Sequence, residues 1–440
     1  MDRAVERSIT YLYGLQSHGI KPGLARTRAL LNALGNPHRS FQAIHIGGTN
    51  GKGSTAAMMA SVLGHRGFRV GLYTSPHLIE FTERIQVNGR VIPSDRVGAL
   101  TETIRQASDA RLSDPPTFFE ATTVLAFAYF AEVGVDCAVV EVGLGGRFDA
   151  TTVLTPLVSV ITTIGLDHQE YLGTTLEAIA CEKAGIIKQG VPVVVGRLAS
   201  EPLSVIRHAA AEQEAACVVL GEDFDARGEA PDRFSYGGLR WRYDNLSCPL
   251  PGRHQMDNAV CALAALELVE ARGLAVGEEA VREGLRVVRW PGRLELVSRR
   301  PDVWLDGAHN PQAADALATH LTDMSVRRGP ATPGGLILVV GMMRDKDRTG
   351  VLSRLALVPG VSRLVVTSAA HPRATDPPEL ARDCEGLGVP VVVRPTVAEA
   401  VAYARSLAGP DDTICVTGSL LVVGEAKAVI EGTARSGLCG

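Results

Sequence analysis

Short runs of β-branched and other apolar residues alternate along the chain with longer segments of helical spacing. The runs FQAIHI (41–46), CAVVEV (137–142), LVSVITTI (157–164) and VPVVV (191–195) are bounded by Gly, Pro or polar residues and are predicted to be strands. Between them, ATTVLAFAYFAEV (121–133) and NAVCALAALELVEARG (258–273) repeat apolar residues at the spacing of a helix. The first is apolar almost all round, which predicts burial on several sides. Strands that are continuously apolar, rather than alternating, belong in a parallel sheet covered on both faces.

A second series begins near residue 294. Its predicted strands are VWLD (303–306), LILVV (336–340), RLVVTS (363–368), PVVVR (390–394) and TICVTG (413–418), separated by helical segments such as PQAADALATHL (311–321) and VAEAVAYARSLA (397–408). This pattern predicts a second, doubly wound unit. The Pro-Gly turn in RVVRWPGRLEL (286–296) lies between the series, so the boundary is placed there, giving units 1–290 and 291–440. The expected fold class is α/β: a P-loop NTPase-like domain with a mostly parallel sheet, followed by a smaller Rossmann-like domain. The stretch 221–251, rich in Gly, Asp and Arg, reads as an insertion or hairpin region with no element assigned.

Composition narrows the function classes. With 46% apolar and 21% charged residues the chain is an ordinary globular one, not a disordered one. A net charge of −4 gives no general footprint for nucleic acid, and 5% aromatic residues make a poor base-stacking platform. The closest cysteines, Cys248 and Cys261, are too far apart for a CxxC pair, so the thiols are expected to be reduced, as in a cytoplasmic protein. MDRAVERSIT has no apolar signal-peptide core. The longest apolar stretch, GGLILVVGMM (334–343), is far below the ~18–20 residues of a membrane span, so no membrane partner is expected.

The strongest chemical signal is IHIGGTNGKGSTAAMMASVL (44–63). A strand runs into a Gly-rich loop and then into an apolar helix. Gly47, Gly48, Gly51 and Gly53 let the backbone turn its N–H groups toward an anion at the helix N-terminus. Lys52 is placed to reach β/γ-phosphates, and the hydroxyl of Ser54 or Thr55 to face Mg²⁺. Asn50, Gly51, Lys52, Gly53, Ser54 and Thr55 are therefore the expected nucleotide-binding residues. The loop is not a strict GxxxxGK[ST], because Gly53 separates Lys52 from Ser54.

GTNGKGST in this form resembles the Mur ligase superfamily, and within it folylpolyglutamate synthase and dihydrofolate synthase. Collinear blocks extend the resemblance over nearly the whole chain: GIKPGLAR (19–26), YTSPHL (73–78), ERIQVNG (83–89), EVGLGGRFDAT (141–151), GLDHQEYLG (165–173), EKAGIIK (182–188), PGRHQMDNA (251–259), WPGRLE (290–295), DGAHNP (306–311), GMMRDKD (341–347) and TGSLLVVGE (417–425). The resemblance implies a cytoplasmic, monomeric, ADP-forming amide ligase that joins L-glutamate to a pteroate or folate carboxylate through an acyl phosphate. Such chemistry asks for positioning and charge neutralisation more than for a protein nucleophile.

The resemblance also assigns roles. Ser75, Glu141 and His168 resemble Mg²⁺ ligands, with Ser54 beside them, and two Mg²⁺ ions are implied. Serine and carboxylate oxygens suit a hard cation, whereas imidazole is an unusual choice. Lys183 matches the lysine that is carbamylated by CO₂. Asn258 resembles an adenine-side contact, Arg293 a linker residue reaching the phosphates, and Asp306 a ribose or linkage contact. Lys52, Lys183 and His309 are the implied catalytic residues, His309 toward glutamate or the phosphates. Ile20, Lys21, Phe118, Phe119, Glu120, Arg147 and Asp149 align with pterin-side blocks, and Ser419 with the glutamate side.

Bland alternatives stand beside several of these roles. Glu141 can pair with an arginine, His168 can be a loop histidine, Lys183 can be a helix lysine paired with an acid, and Phe118 and Phe119 can be core. Asp306 can cap a helix. Thr152 stands where the family commonly has Asn. Two other functions compete: a UDP-muramoyl amino acid ligase, for which the roughly 40 residues before the loop strand are too few to form the extra domain, and a P-loop regulatory module without amide chemistry.

Overall fold

The structure is a computed structural model that describes residues 3–19, 21–328 and 334–433. Ile20 lies outside the described residues. Eight strands form the first sheet: β1 (Gln42–Gly47), β2 (Val70–Tyr73), β3 (Ile85–Val87), β4 (Arg90–Val91), β5 (Cys137–Glu141), β6 (Val158–Ile161), β7 (Val193–Val195) and β8 (Cys217–Val219). Their order is β4-β3-β2-β5-β1-β6-β7-β8. The pairs β2/β3 and β3/β4 at one edge are antiparallel and the others parallel. The expected strands are present, shortened or shifted by a few residues where Gly or polar residues end the ladder.

The central strands are buried along their length, and the helices that cover them are buried in turn. Helix Phe118–Glu132 packs with Tyr73, Phe81, Ile85 and Ile104 in one apolar cluster. Its apolar circumference follows from that enclosure. Thr117 and Glu120 start it with a capping box, in which Thr117 N donates to Glu120 Oε2 (2.7 Å) and Glu120 N donates to Thr117 Oγ1 (3.2 Å).

Region 221–251 folds as a three-stranded antiparallel sheet of β9 (Asp225–Ala230), β10 (Arg233–Gly237) and β11 (Arg242–Leu246). Phe234, Tyr236, Tyr243 and Leu246 from this sheet join the core that holds helix His254–Ala271. Tyr236 Oη donates to the buried Glu267 of that helix (2.7 Å). The helix is therefore covered on the side away from the main sheet as well.

The remaining strands form a six-stranded sheet: β12 (Glu295–Ser298), β13 (Asp302–Leu305), β14 (Leu336–Val340), β15 (Val361–Val366), β16 (Val391–Val393) and β17 (Thr413–Thr417). The order is β12-β13-β17-β14-β15-β16, parallel except for the β12/β13 edge pair. Two apolar clusters lie against this sheet, built around Val339, Val416 and Val422 and around Leu338, Val340 and Leu352. Among the described residues no helix is long and apolar enough to cross a membrane, and the seven described cysteines are free thiols.

Candidate active site

The first sheet changes direction of winding at β1. Parallel register sets Ile46 beside Glu141 of β5 and Gly47 beside Ile161 of β6. The carboxyl ends of three strands thus meet at the switch point, where open α/β sheets leave a crevice. The Gly-rich loop occupies this crevice and leads into helix Lys52–His65.

Two glycines make the loop possible. Gly48 has φ +139°, and a methyl group there would come closer than 3.0 Å to Thr162 Oγ1. Gly51 has φ +85°, and its methyl would meet Asn258 Oδ1 at similarly short range. Both conformations disfavour any side chain. Thr162 and Thr163 from the end of β6 fasten the loop from below: both hydroxyls donate to Asn50 O, at 2.6 and 3.1 Å.

A cavity of ≈ 380 Å³ opens above the loop, between the two parallel sheets. Its lining includes Lys52–Ser54, His254, Gln255, Asn258, Gln312, Ala313 and Leu420. These residues are the first turns of helices Lys52–His65, His254–Ala271, Pro311–Arg328 and Leu420–Glu431. Four helix N-termini therefore contribute to one wall system, and each brings the partial positive charge of its helix end, an arrangement that attracts phosphate.

Two lysines share the loop carbonyls. Lys52 Nζ donates to Gly48 O and Thr49 O, both at 3.1 Å. Lys183 Nζ donates to Gly48 O at 2.8 Å and is 4% exposed. Burial, reinforced by the Lys52 charge, lowers the Lys183 ammonium to about 7. Burial also lowers Lys52, against the attraction of Glu141 and Asp167. Glu141 is itself buried, and burial raises its carboxyl despite the pull of Lys52. Its Oε2 accepts from Ser75 N at 3.1 Å, which brings the Ser75 turn to the same wall.

Above the loop lies a polar cluster that joins both sheets. Asn50 Nδ2 donates to Asn310 Oδ1 (3.1 Å) and Asn310 Nδ2 donates to Asn50 Oδ1 (3.0 Å), a reciprocal amide pair. Asn50 also donates to Gln312 Oε1 (2.9 Å). Asp167 accepts from Asn310 Nδ2 (3.0 Å) and from Lys346 Nζ (2.7 Å), with His309 Nε2 at 3.4 Å. Burial pushes the Asp167 carboxyl up, but the hydrogen bond from His309 and the charges of His309, Lys346 and His168 outweigh it and hold the group well below the usual carboxylate range. His168 has φ +50° and sits 3.3 Å from Lys346 Nζ; burial and that charge lower its imidazole to about 4.

The predicted residues divide into two groups. The cavity lining contains Asn50, Gly51, Lys52, Gly53, Ser54, Ser75, Glu141, His168, Lys183, Asn258, Arg293, Asp306 and His309. It does not contain Thr55, Lys21, Phe118, Phe119, Glu120, Arg147, Asp149 or Ser419. Thr55 Oγ1 is buried without a hydrogen-bond partner. Glu120 closes its capping box and pairs with Arg26 at 3.0 Å. The Phe118 ring stacks on Tyr13 (centroids 5.6 Å apart, planes at 12°) under the Arg84 guanidinium. Phe119 packs toward Tyr73 and Gly143. Arg147 is half exposed beside Glu182, and Lys21 O accepts from Arg26.

Asp149 is buried and turned inward. It accepts from Leu144 N (2.9 Å), Thr151 N (3.0 Å) and Thr151 Oγ1, and so folds the GLGGR loop over itself. Thr152 Oγ1 donates to Gly146 O (2.6 Å), so the threonine ties the same loop. Asp306 spends both oxygens on backbone N–H groups, Leu294 and Ala308, each at 2.9 Å, and the cap of the following helix is Asn310, which accepts from Ala313 N. Ser419 Oγ accepts from Leu421 N as a helix cap. Sequence reasoning left Asp167, Asn310, Gln312 and Lys346 out of the site, although three of them sit inside the blocks GLDHQEYLG, DGAHNP and GMMRDKD.

Fold and site together define a P-loop α/β protein whose anion cradle is walled by a second doubly wound unit. Residues 46–266 match the Mur ligase middle domain, and residues 292–420 match the Mur ligase glutamate ligase domain. The chain is 36% identical over 439 residues to the dihydrofolate synthase/folylpolyglutamate synthase of Bacillus subtilis, covering 97% of this chain and 99% of that one. It superposes on E. coli FolC in complex with DHPP and ADP with a TM-score of 0.87 at 33% identity, covering 97% and 98% of the two chains. The Yersinia pestis bifunctional folylpolyglutamate synthase/dihydrofolate synthase with Mn, AMPPNP and L-glutamate bound gives a TM-score of 0.84 at 30% identity, covering 97% and 98%. The chain belongs to the dihydrofolate synthase/folylpolyglutamate synthase branch of the Mur ligase family.

Proposed function

We propose that this protein is an ADP-forming ligase that adds L-glutamate to the carboxylate of dihydropteroate, of reduced folates, or of both, through an acyl phosphate. The observation that carries the reading is the cradle itself: loop amides, Lys52 and four helix N-termini converge on one cavity between the two sheets. We assign ATP phosphates to that cradle. The two units are taken as 1–290 and 291–440, each supplying one side of the reaction, in a cytoplasmic monomer.

A carboxylate and an amine do not condense usefully in water, so the terminal phosphoryl group must first pass to the carboxylate. The loop amides and Lys52 hold the triphosphate and neutralise charge as it shifts. Asn258 and Arg293 extend the hold on the nucleotide from the helix and from the linker. Asp306 lines the same cavity and is assigned the ribose or linkage contact, and its carboxylate also fixes the linker through Leu294 N. His309 lies toward the second sheet, where glutamate has to enter, with its ring kept in place by Asp167 and by Gly307 O (Nδ1 at 2.8 Å). Ser419 is assigned to the glutamate side, and Lys21, Phe118, Phe119, Glu120, Arg147 and Asp149 to the pterin side, where the ring of Phe118 and the loop tied by Asp149 shape the wall.

The donor set fits a hard cation that takes part of its shell from phosphate oxygens. Among the described residues no three His, Cys, Asp or Glu side chains are arranged as a ready metal site. Ser54, Ser75, Glu141 and His168 would hold two Mg²⁺ ions together with the nucleotide, and the ions would screen the phosphate charge. Lys183 is assigned carbamylation by CO₂, because a buried amine lowered to about 7 is substantially neutral and nucleophilic near neutrality. Carbamylation turns it into an anionic oxygen donor.

The deciding experiment offers L-glutamate and ATP with dihydropteroate, with tetrahydrofolate, or with a UDP-muramoyl peptide. ADP release that requires both a pteroate-type acid and glutamate is expected. Release that depends on neither, or that depends on the UDP-muramoyl peptide, overturns the reading.

A further inference from the structure

Leu78 is carried by the first sheet but buried in the second. The segment 74–84 leaves β2 and returns at β3, and Thr74 N donates to Arg84 O (3.0 Å) to close its base. Its tip projects across the cavity edge. There Leu78, 8% exposed, joins the apolar cluster of Val303, Leu305, Val416, Val422 and Val423. The main chain follows the side chain: a methyl group on Gly424 would sit well inside 3.0 Å of Leu78 O. Gly424 lies in helix Leu420–Glu431, so this helix has a gap just where the strap crosses it.

The strap is stiff at its tip and is tied again one residue before it. Glu83 accepts three successive N–H groups, Leu78 (2.7 Å), Ile79 (2.9 Å) and Glu80 (2.7 Å). Arg84 Nε donates to His77 Nδ1 (2.8 Å), and both side chains are buried. Three residues before the tip, Ser75 lines the cavity and its N–H holds Glu141. A shift of the second unit therefore moves Leu78, and the two residues between, His77 held by Arg84 and Pro76 with its locked φ, carry that shift to Ser75.

We propose that Leu78, seated against Gly424, is a positioning residue that sets Ser75 and Glu141 for the divalent ion only when the second unit is docked. This rests on the function proposed above. In a Leu78→Ala variant, kcat is expected to fall about tenfold with KM for ATP within about twofold. Mn²⁺ affinity, read by electron paramagnetic resonance in the presence of AMPPNP, should weaken about fivefold. Leu78→Met, which conserves volume, should restore both. Gly424→Ala should reproduce the Leu78→Ala pattern by lifting the strap, and Leu78→Ala decides if that variant does not fold. Val401→Ala, in the same apolar cluster but away from the strap, should lower the unfolding midpoint comparably and leave Mn²⁺ affinity as in the wild type. Equal Mn²⁺ affinity in Leu78→Ala and wild type, or the same loss in Val401→Ala, overturns the proposal. A wild-type protein that binds no Mn²⁺ with AMPPNP would instead overturn the functional reading beneath it.

Discussion

The floor and the roof of the cavity are built differently. The floor is main chain: glycines at positive φ, loop carbonyls and the first turn of helix Lys52–His65, fixed within one stretch of sequence and tied down by Thr162 and Thr163. The roof is side chains brought from far apart, with Asn50, Asp167, Asn310 and Lys346 meeting across nearly 300 positions. Backbone geometry at the positive-φ glycines disfavours any side chain, and its few ties come from neighbouring strand ends. A side-chain roof depends on every member, because each buried polar group left alone costs free energy.

The sharpest way to break this contrast is at the floor's one side-chain contribution to phosphate. Lys52→Ala is expected to lower kcat by about 10³-fold or more, with unchanged circular dichroism, because it removes charge neutralisation and two bonds to loop carbonyls while leaving the sheet and helices intact. Lys183→Ala should cost about 10²-fold and abolish a ¹³C carbamate resonance after incubation with ¹³C-bicarbonate; a persistent resonance would place the modification elsewhere. At the roof, Lys346→Met leaves the buried Asp167 without its ammonium and should destabilise the protein by about 3 kcal/mol in urea unfolding, with a smaller effect on ATP affinity than Lys52→Ala. If Lys346→Met leaves stability unchanged, the roof is not an interdependent cluster.

Two titrations sharpen the same contrast. Lys183 is lowered to about 7 in the folded protein from an ordinary value near 10.5, so between these values the unfolded chain binds more protons and stability rises with pH. In CO₂-free buffer, wild-type stability relative to Lys183→Met should therefore increase by about 2 kcal/mol from pH 7 to pH 9. Asp167 has the same sign at acid pH: its depressed carboxyl stabilises the fold above the ordinary carboxylate pKa, and that contribution is lost progressively as pH falls below about 4. The smallest expected effect is Thr152→Val, which removes the bond to Gly146 O and should cost about 1 kcal/mol with activity largely kept.

What was readable in the sequence follows the floor and roof division. Glycine spacing, β-branched runs and the strand–loop–helix order report local backbone, so both parallel sheets and the phosphate loop are legible from residue pattern alone. The sheet at 225–246 is hidden because its strands carry Arg, Asp and Gly on their exposed sides and place few residues, such as Phe234 and Tyr243, in the core. Asp167 and Lys346 are hidden for another reason. An isolated Asp or Lys in a polar loop looks solvated, and only the packing of one sheet on the other buries the pair. Asp149 and Glu120 show the reverse: their motif positions suggest ligand contact, yet their oxygens are engaged by the chain's own groups.

The stitching around Asp306 has a mechanical consequence. Gly292 N is held by Glu295, Gly292 O by Gly307 N, and Leu294 N by Asp306, so everything from Gly292 onward travels with the second sheet. On the other side Val288 is buried in the first core, and Trp290 lies so close to Gly53 that a methyl there would not fit. Swivelling of one half against the other is thereby confined to the torsions on either side of Pro291, whose own φ is locked by its ring. A door hung in this way would have a single short pin and a narrow arc.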